Sequence, residues 1–438
     1  MQVEVTKKDR SILEGNEGKA KQLAMRVIVR MAEIQGAKKL IDIQCAHIDG
    51  CIYTGPASLH FAETLAELGG KVTVPTTMNA ISIDRKRWKE QGVEAEWANS
   101  AQRLADAYLQ MGAKPTFTCA PYLLPEKPQK GMDIAWAESN AVVYANSVLG
   151  AKTNRYGDLM DICAAITGRV PLTGLHLEDN RKGTILIDVE EIQEIDSFFY
   201  PVFGYLVGQR VNGGVPVIVG LNHIPSADDL KAFGAAAATA GSVGMFHIVG
   251  ITPEAQTVEN AMGNKPPASI HKVSKAELQE VWKKLSSGAG EKVDMITLGS
   301  PHFSYDECKL LAEIIEQEAE QAEQAEQAQS IFKKKSPLKV QSEFIITTSQ
   351  YVYEQALNNG VAARIENFGI KFLTDTCLCM INTPVIPDKC QTLMTNSAKY
   401  AHYAPGLVNR KIYFSSIKDC VHSAIVGRPI ISRPKWLY

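Results

Sequence analysis

The chain has 438 residues, 45% hydrophobic and 21% charged, which is ordinary globular usage with ample material for a core. A formal net charge of -2 argues against nucleic-acid binding, which normally gathers Lys and Arg on one face, and makes a small ligand the default. The opening MQVEVTKKDR lacks an apolar signal core, and no stretch reaches the apolar length of a membrane span, so the expectation is a cytoplasmic protein with no membrane partner.

In chain order, Lys7 to Ala37 has helical apolar spacing and reads as one surface-packed helix. KKLIDIQ is a short β-like run, followed by the loop CAHIDGCIYTG, the helical LHFAETLAEL closed by Gly69 and Gly70, and the strand KVTVP. This β-loop-α-β order is the grammar of a parallel α/β sheet. It recurs as TFTCAPYLL, the helix IAWAESNAVVYANSVLG ending in Gly150, the strand VPVIVGL, the helix DDLKAFGAAAATAG and the strand MFHIVGI. Ligands of such sheets lie beyond the carboxyl ends of the strands, so loops such as CAHIDGC and NHIPS are where chemistry is expected. After the helix PHFSYDECKLLAEII, positions 316–335 form an EQA-type repeat ending in a basic cluster, expected to be a solvated helical extension. Past Pro337 come the strand SEFIITTS, the helix YVYEQALNNG and IKFLTDTCLCM, then a stretch read as a loop, a strand and a short helix. One region, 1–438, with no independent second core, is the expectation.

The nine cysteines are odd in number, dispersed and free of any CxxC pair. That argues against a disulfide framework, a zinc ribbon or a thioredoxin-like site, and leaves open a cluster whose ligands converge from distant loops. Three loops combine small, polar and sulfur-bearing residues: TFTCAPY around Cys119, ITLGSPHFS around Ser300, and LTDTCLCM around Cys377 and Cys379. Each follows a β-like run and precedes a helical one, which sets backbone N–H groups beside sulfur or oxygen and favours thiolate. A lone cysteine at a strand end is, by default, a small apolar filler, and spacing cannot reject that role. Cys45, Cys51, Cys163, Cys308, Cys390 and Cys420 read as core, with Cys308 about two turns into a helix starting near Ser300.

Other polar residues cluster in strings. HIDGCIY offers His47, Asp49 and Gly50; PTTMNAISID offers Thr76, Thr77, Asn79 and Ser82; AWAESNAV offers Glu138 and Ser139; ANSVLGAKTNR offers Asn146, Ser147, Asn154 and Arg155; MTNSAKYAHY offers Asn396, Ser397, Lys399 and His402. Recognition of a carboxylate or phosphate needs a cation with neutral donors at fixed geometry, and Arg155 and Lys399 with their neighbours can supply it. Any single Asn or Ser serves equally as a cap or turn residue. His47 and His402 stand evenly between partly buried, satisfied histidines and ligand contacts.

HIDGCIY with FAETL, VPTTMNAIS, TCAPY, AESNAVVYANSVLGAKTNR, DTCLC, and TNSAKYAHYAPG with DCV occur here in the order in which they occur in aconitase X proteins. The chain resembles that family along nearly its whole length. The resemblance implies an aconitase-like α/β fold of repeated parallel β-α-β units in α/β/α layers. It implies a hydro-lyase that dehydrates a small hydroxy acid, either cis-3-hydroxy-L-proline or mevalonate 5-phosphate, with an iron-sulfur cluster. Cluster ligands then fall on Cys119, Ser300 and Cys377. Many members carry cysteine where this chain has Ser300, a harder and less acidic ligand, so a smaller cluster, a serine-ligated one or mononuclear iron stay open, with Cys379 or Cys308 as substitute thiolate. Implied substrate contacts are Gly50, Cys51, Ile52, Asn79, Glu138, Ser139 and Lys399, to which the polar strings add Asp49, Asn154 and Arg155. Lys399, with Ser397 and His402 of the same string, is expected to carry catalysis. In the family the proton-abstracting base looks to be a serine of a small swivel domain, for which a chain ending at Tyr438 leaves no room, so a small partner subunit is expected. Asp49 and the Ala80 after Asn79 favour the hydroxyproline type. A non-catalytic paralogue is the rival from another class, and a nicotinamide enzyme is disfavoured because no GxGxxG or GxxxxGKS string follows a strand.

Overall fold

The computed structural model describes residues 3–211, 213–328 and 340–438. Parallel β-sheet organises it. Ala46–Ile48 is flanked by Thr76–Met78 and Ala135–Trp136 in one sheet. A second has the order His247–Ile248, Pro216–Val219, Ile185–Asp188, Ser269–Lys272. A third has the order Lys371–Thr374, Glu343–Thr348, Met295–Leu298, Thr392–Thr395, Lys411–Phe414. Runs such as MITL and LMT are buried along their length, as parallel strands covered on both faces require. Leu40–Asp42 and Arg169–Pro171 add an antiparallel pair.

In the third sheet the earliest strand is central, and the chain winds outward on one side before returning to the other. Its switch point lies between Met295–Leu298 and Thr392–Thr395, where loops diverge and leave a crevice beyond the carboxyl ends. The loop after one strand carries Ser300, and the loop after the other leads to Lys399.

Several elements differ from the sequence reading. The first helix is two, Lys7–Leu13 and Lys19–Ile34, because Gly15 and Gly18 take φ values of +90° and +96° that end helical backbone. A strand, Ala46–Ile48, lies inside the CAHIDGC loop, and the strand near KVTVP is the Thr76–Met78 that follows it. TFTCAPYLL holds a 3-10 turn at Pro121–Leu123 and no strand. IAWAESNAVVYANSVLG divides into the strand Ala135–Trp136, the helix Ser139–Tyr144 and a π-turn at Ala145–Leu149 before Gly150. The long helix starts at Tyr305, so Cys308 sits in its first turn. MTNSAKYAHYAPG is the end of a strand and the helix Ala398–Val408. The EQA repeat continues the Tyr305–Ala328 helix, and its remainder, 329–335, lies outside the described residues.

The apolar interior gathers in three large clusters. One gathers around Ile28, Ile48 and Leu104, one around Phe199, Phe203, Phe233 and Phe246, and one around Ile296, Phe344 and Phe372. Among the described residues no helix is long and apolar enough to cross a membrane.

Candidate active site

The first sheet presents three polar residues from the carboxyl ends of its three strands: Asp49 directly after Ile48, Asn79 directly after Met78, and Glu138 two residues after Trp136. Glu138 caps the Ser139–Tyr144 helix by accepting the Ala141 N–H at 2.9 Å. It also accepts from the Asn140 amide, and from the Ser139 hydroxyl at 3.4 Å. The Asn79 amide donates to Asp49. Buried Asp161 fixes the turn beneath by accepting the N–H groups of Asp49 at 2.6 Å and Gly50 at 3.0 Å. Burial pushes the Asp161 carboxyl up to about 6 against those bonds. Asp49 is held well above the usual carboxylate range, first by burial and then by the Glu138, Asp158 and Asp161 carboxylates around it. Cys51 turns its thiol inward to the carbonyls of Asn79 at 3.3 Å and Ile48 at 3.5 Å. Its side chain is packing, and Gly50 and Ile52 offer backbone alone.

The third sheet supplies the facing wall. Gly299 ends its strand at φ +101°, and a Cβ there would sit on the Thr347 carbonyl, so only glycine lets the next residue, Ser300, turn into the crevice. Ser397 accepts the Tyr400 N–H at 3.1 Å as cap of the Ala398–Val408 helix and donates its hydroxyl to the Ser300 carbonyl. Lys399, in the first turn of that helix, reaches across to Glu138 at 2.7 Å. Their side chains are 12% and 7% exposed, so this is a desolvated ion pair joining the two sheets. Backbone pairing between Ile81 and the 375–377 segment, with N···O distances of 2.8 and 3.0 Å, zips the same walls together.

The sulfur atoms converge here. Cys119 accepts the backbone N–H of His302 at 3.2 Å, and its carbonyl accepts the Asn140 amide at 2.9 Å. Cys377 and Cys379 stand beside each other, with the Ser300 side chain next to Cys379. The neighbouring Cys377 thiol is the main cause lowering Cys379 to about 7, with Lys399 and Ser300 assisting. Cys377 is raised by its Cys379 neighbour and by burial, and burial pushes Cys119 up to about 12. Among the described residues no three His, Cys, Asp or Glu side chains stand in a ready coordination sphere. The donor chemistry nevertheless fits an iron centre: three soft thiols and a serine oxygen, with an N–H aimed at one sulfur and a lysine beside them. Cys379 lines a 400 Å³ groove with Thr376, Ser82, Trp97 and Leu407, and Ser300, Ser397 and Lys399 border a 30 Å³ hollow.

Other expected residues are engaged elsewhere. The Asn154 side chain donates to Thr173 O at 2.8 Å and accepts Leu175 N–H at 2.7 Å, which makes it a turn clamp. Arg155 is exposed and donates to Ser242 O at 3.2 Å at a separate surface cavity. His402 is exposed and bonded to the Tyr205 hydroxyl at 2.8 Å. His47 lies fully buried against Thr77 at 2.8 Å. Cys308 is sealed in the third apolar cluster. In the NHIPS loop, His223 bonds Tyr200 at 2.9 Å and Ile224 is exposed to solvent. Sequence reasoning missed Asn140, which links Glu138 to the Cys119 loop and adjoins the chosen Ser139. It also missed Asp161, for which no local signal existed, and His302, two residues past Ser300.

Comparison with known proteins agrees with this geometry. Models of the aconitase X first, second and third domains match residues 2–179, 183–283 and 319–426. Cis-3-hydroxy-L-proline dehydratase of Pseudomonas aeruginosa is 49% identical over 98% of this chain and 71% of its own length. The Hypocrea jecorina protein of the same name is 49% identical over 98% of this chain and 69% of its own. The phosphomevalonate dehydratase large subunit of Methanothermobacter thermautotrophicus is 36% identical over 90% of this chain and 92% of its own length. The crystal structure of Thermococcus kodakaraensis aconitase X in its holo-form superposes with a TM-score of 0.84 at 31% identity, covering 96% of this chain and all of that one. With this fold, this convergence of loops and these relatives, the chain belongs to the aconitase X family.

Proposed function

We propose that the chain is a hydro-lyase that dehydrates cis-3-hydroxy-L-proline. The observation that carries the choice of substrate is the crowd of carboxylates, Asp49, Glu138, Asp158 and Asp161, about a crevice whose inward cation, Lys399, is already paired. A substrate ammonium relieves that crowding, whereas a phosphate adds to it. The 49% identity to two cis-3-hydroxy-L-proline dehydratases supports the same choice over mevalonate 5-phosphate.

In this reading Asp49, steadied by Asn79, takes the substrate ammonium, and Lys399, aimed by Glu138, takes the carboxylate. Dehydration breaks the C2–H and C3–O bonds, forms C2=C3 and releases water. Negative charge grows on the carboxylate as the C2 proton leaves, so a fixed ammonium there lowers the barrier. Cys119, Ser300 and Cys377, with Cys379 as additional thiolate, would hold an iron-sulfur or iron centre, which when bound supplies a Lewis acid for the departing hydroxyl. Ser397 orients the Ser300 loop. The proton acceptor belongs to a small partner subunit, an assignment supported by the large-subunit names of the relatives that this chain matches over nearly their full length. The cytoplasm, where thiols stay reduced, suits the free cysteines.

The test is a dehydration assay of the anaerobically purified chain with its small subunit, on both substrates. Cis-3-hydroxy-L-proline should be preferred, and Asp49→Asn should raise its KM about tenfold or more, the loss of one charge-assisted contact. A higher kcat/KM for mevalonate 5-phosphate would overturn the substrate choice. Robust turnover by the chain alone would overturn the partner.

A further inference from the structure

His302 touches all three loops from which the sulfur and oxygen donors come. It belongs to the Ser300 loop, and its backbone N–H donates to Cys119 Sγ at 3.2 Å. Its ring lies 3.3 Å, through Nδ1, from the Thr118 hydroxyl, and 2.9 Å, through Nε2, from the carbonyl of Thr376, the residue before Cys377. The side chain is 1% exposed. These partners fix the tautomer. A carbonyl oxygen can only accept, so Nε2 carries the hydrogen and Nδ1 offers its lone pair to the Thr118 hydroxyl. Thr118 can donate there because its oxygen lone pair already takes the Ala120 N–H at 3.1 Å. One neutral, buried ring thus spans the Cys119 and Cys377 loops from the Ser300 loop, and each of its ring nitrogens has a partner.

We infer that His302 is the positioning residue that sets the spacing of Cys119, Ser300 and Cys377, so that the three loops hold a metal centre in one geometry. It ligates nothing; it acts through the loops it ties. The inference rests on the reading of those residues as a metal site. Groups that orient metal ligands through hydrogen bonds are worth about 10–100-fold in metal retention when removed. Here one side chain ties two loops, and its backbone N–H adds a bond to the Cys119 sulfur in one of them. A glutamine can place an amide N–H near the Nε2 position and keep the bond to Thr376, whereas a phenylalanine fills the space and keeps neither bond.

The experiment compares wild type, His302→Phe, His302→Gln and Thr118→Val as full chains reconstituted anaerobically with iron and sulfide. It reads iron per chain, the visible sulfur-to-iron absorption, the rate of iron loss to a chelator, and the melting temperature of each chain without metal. His302→Phe should lose iron about 10–100-fold faster than wild type with an altered absorption band. His302→Gln should recover most of the retention, and Thr118→Val should fall between them. The metal-free melting temperatures of His302→Gln and Thr118→Val should stay near that of wild type. Wild-type retention in His302→Phe overturns the inference, as do losses of retention that merely track the metal-free melting temperature across the series. A wild-type chain that binds no iron under these conditions overturns the metal reading itself, and this inference with it.

Discussion

Truncating either member of the Glu138–Lys399 pair removes the same 2.7 Å contact, yet the residue left behind differs in each case. Without Lys399, as in Lys399→Met, the Glu138 carboxylate keeps the Ala141 N–H, the Asn140 amide and the Ser139 hydroxyl. Without Glu138, as in Glu138→Ala, the buried ammonium of Lys399 loses the one hydrogen-bond partner it has among the described residues, and neighbouring thiols give it only partial compensation. Orphaning a buried charge costs about 3–5 kcal/mol, and losing the Glu138 cap adds about 1. A carboxylate that retains its donors costs about 1–3 kcal/mol. Glu138→Ala should therefore destabilise the chain by about 3 kcal/mol more than Lys399→Met. The double variant should be more stable than Glu138→Ala alone, because the orphaned ammonium is gone. Urea unfolding of metal-free protein at pH 7, with similar slopes for all variants, measures this directly. If Lys399→Met proves equal to or worse than Glu138→Ala, the assignment of who satisfies whom is wrong.

Asp161 gives a pH signature. Its folded pKa of about 6 lies above the ordinary 3.8, so the folded state holds that proton more tightly, and stability falls as pH rises from about 4 through 6, by about 3 kcal/mol in all. Asp161→Asn should flatten that window relative to wild type, and an unchanged slope in urea midpoints between pH 4 and 7 would count against it. Gly299→Ala drives a methyl onto the Thr347 carbonyl at a left-handed position, so the Ser300 loop must move and kcat/KM should drop about 100-fold or more; activity within threefold of wild type would contradict the close approach. Arg155→Ala should leave kcat/KM within about twofold, since its guanidinium serves Ser242. A tenfold loss there would mean that this cation reaches the substrate.

The sheets were readable because parallel strands write themselves as short, continuous apolar runs, and the rule that ligands lie past their carboxyl ends pointed to the loop of Asp49 as well as to the NHIPS loop, where His223 is bonded to Tyr200. Single-residue roles were readable only generically: for Ser397 a cap or turn hydrogen bond stood as the ordinary alternative to the catalytic role expected of it, and the structure shows it capping a helix. Arg155 and His402 misled because charge and residue type say nothing about which way a side chain faces. His402 lies three residues past Lys399 on one helix, yet its ring is bonded to Tyr205 while Lys399 is bonded to Glu138. The Ala398–Val408 helix was hidden by Pro405 and Gly406, which read as loop formers, although the helix runs through both. Asp161 and His302 work through partners 112 and 183 residues away, a relation that no window of sequence contains.

The lysine that neutralises Glu138 follows it by 261 positions. A ribosome adding about 5–20 residues per second leaves the nascent acidic half waiting roughly 13–50 s for its counter-ion. During that interval the amino-terminal sheet lacks the facing wall that carries Ser300 and Lys399. Maturation is thus ordered by translation: the carboxylates emerge first, the sulfur and serine donors of the carboxyl-terminal sheet arrive next, and the crevice locks only when Lys399 has left the exit tunnel.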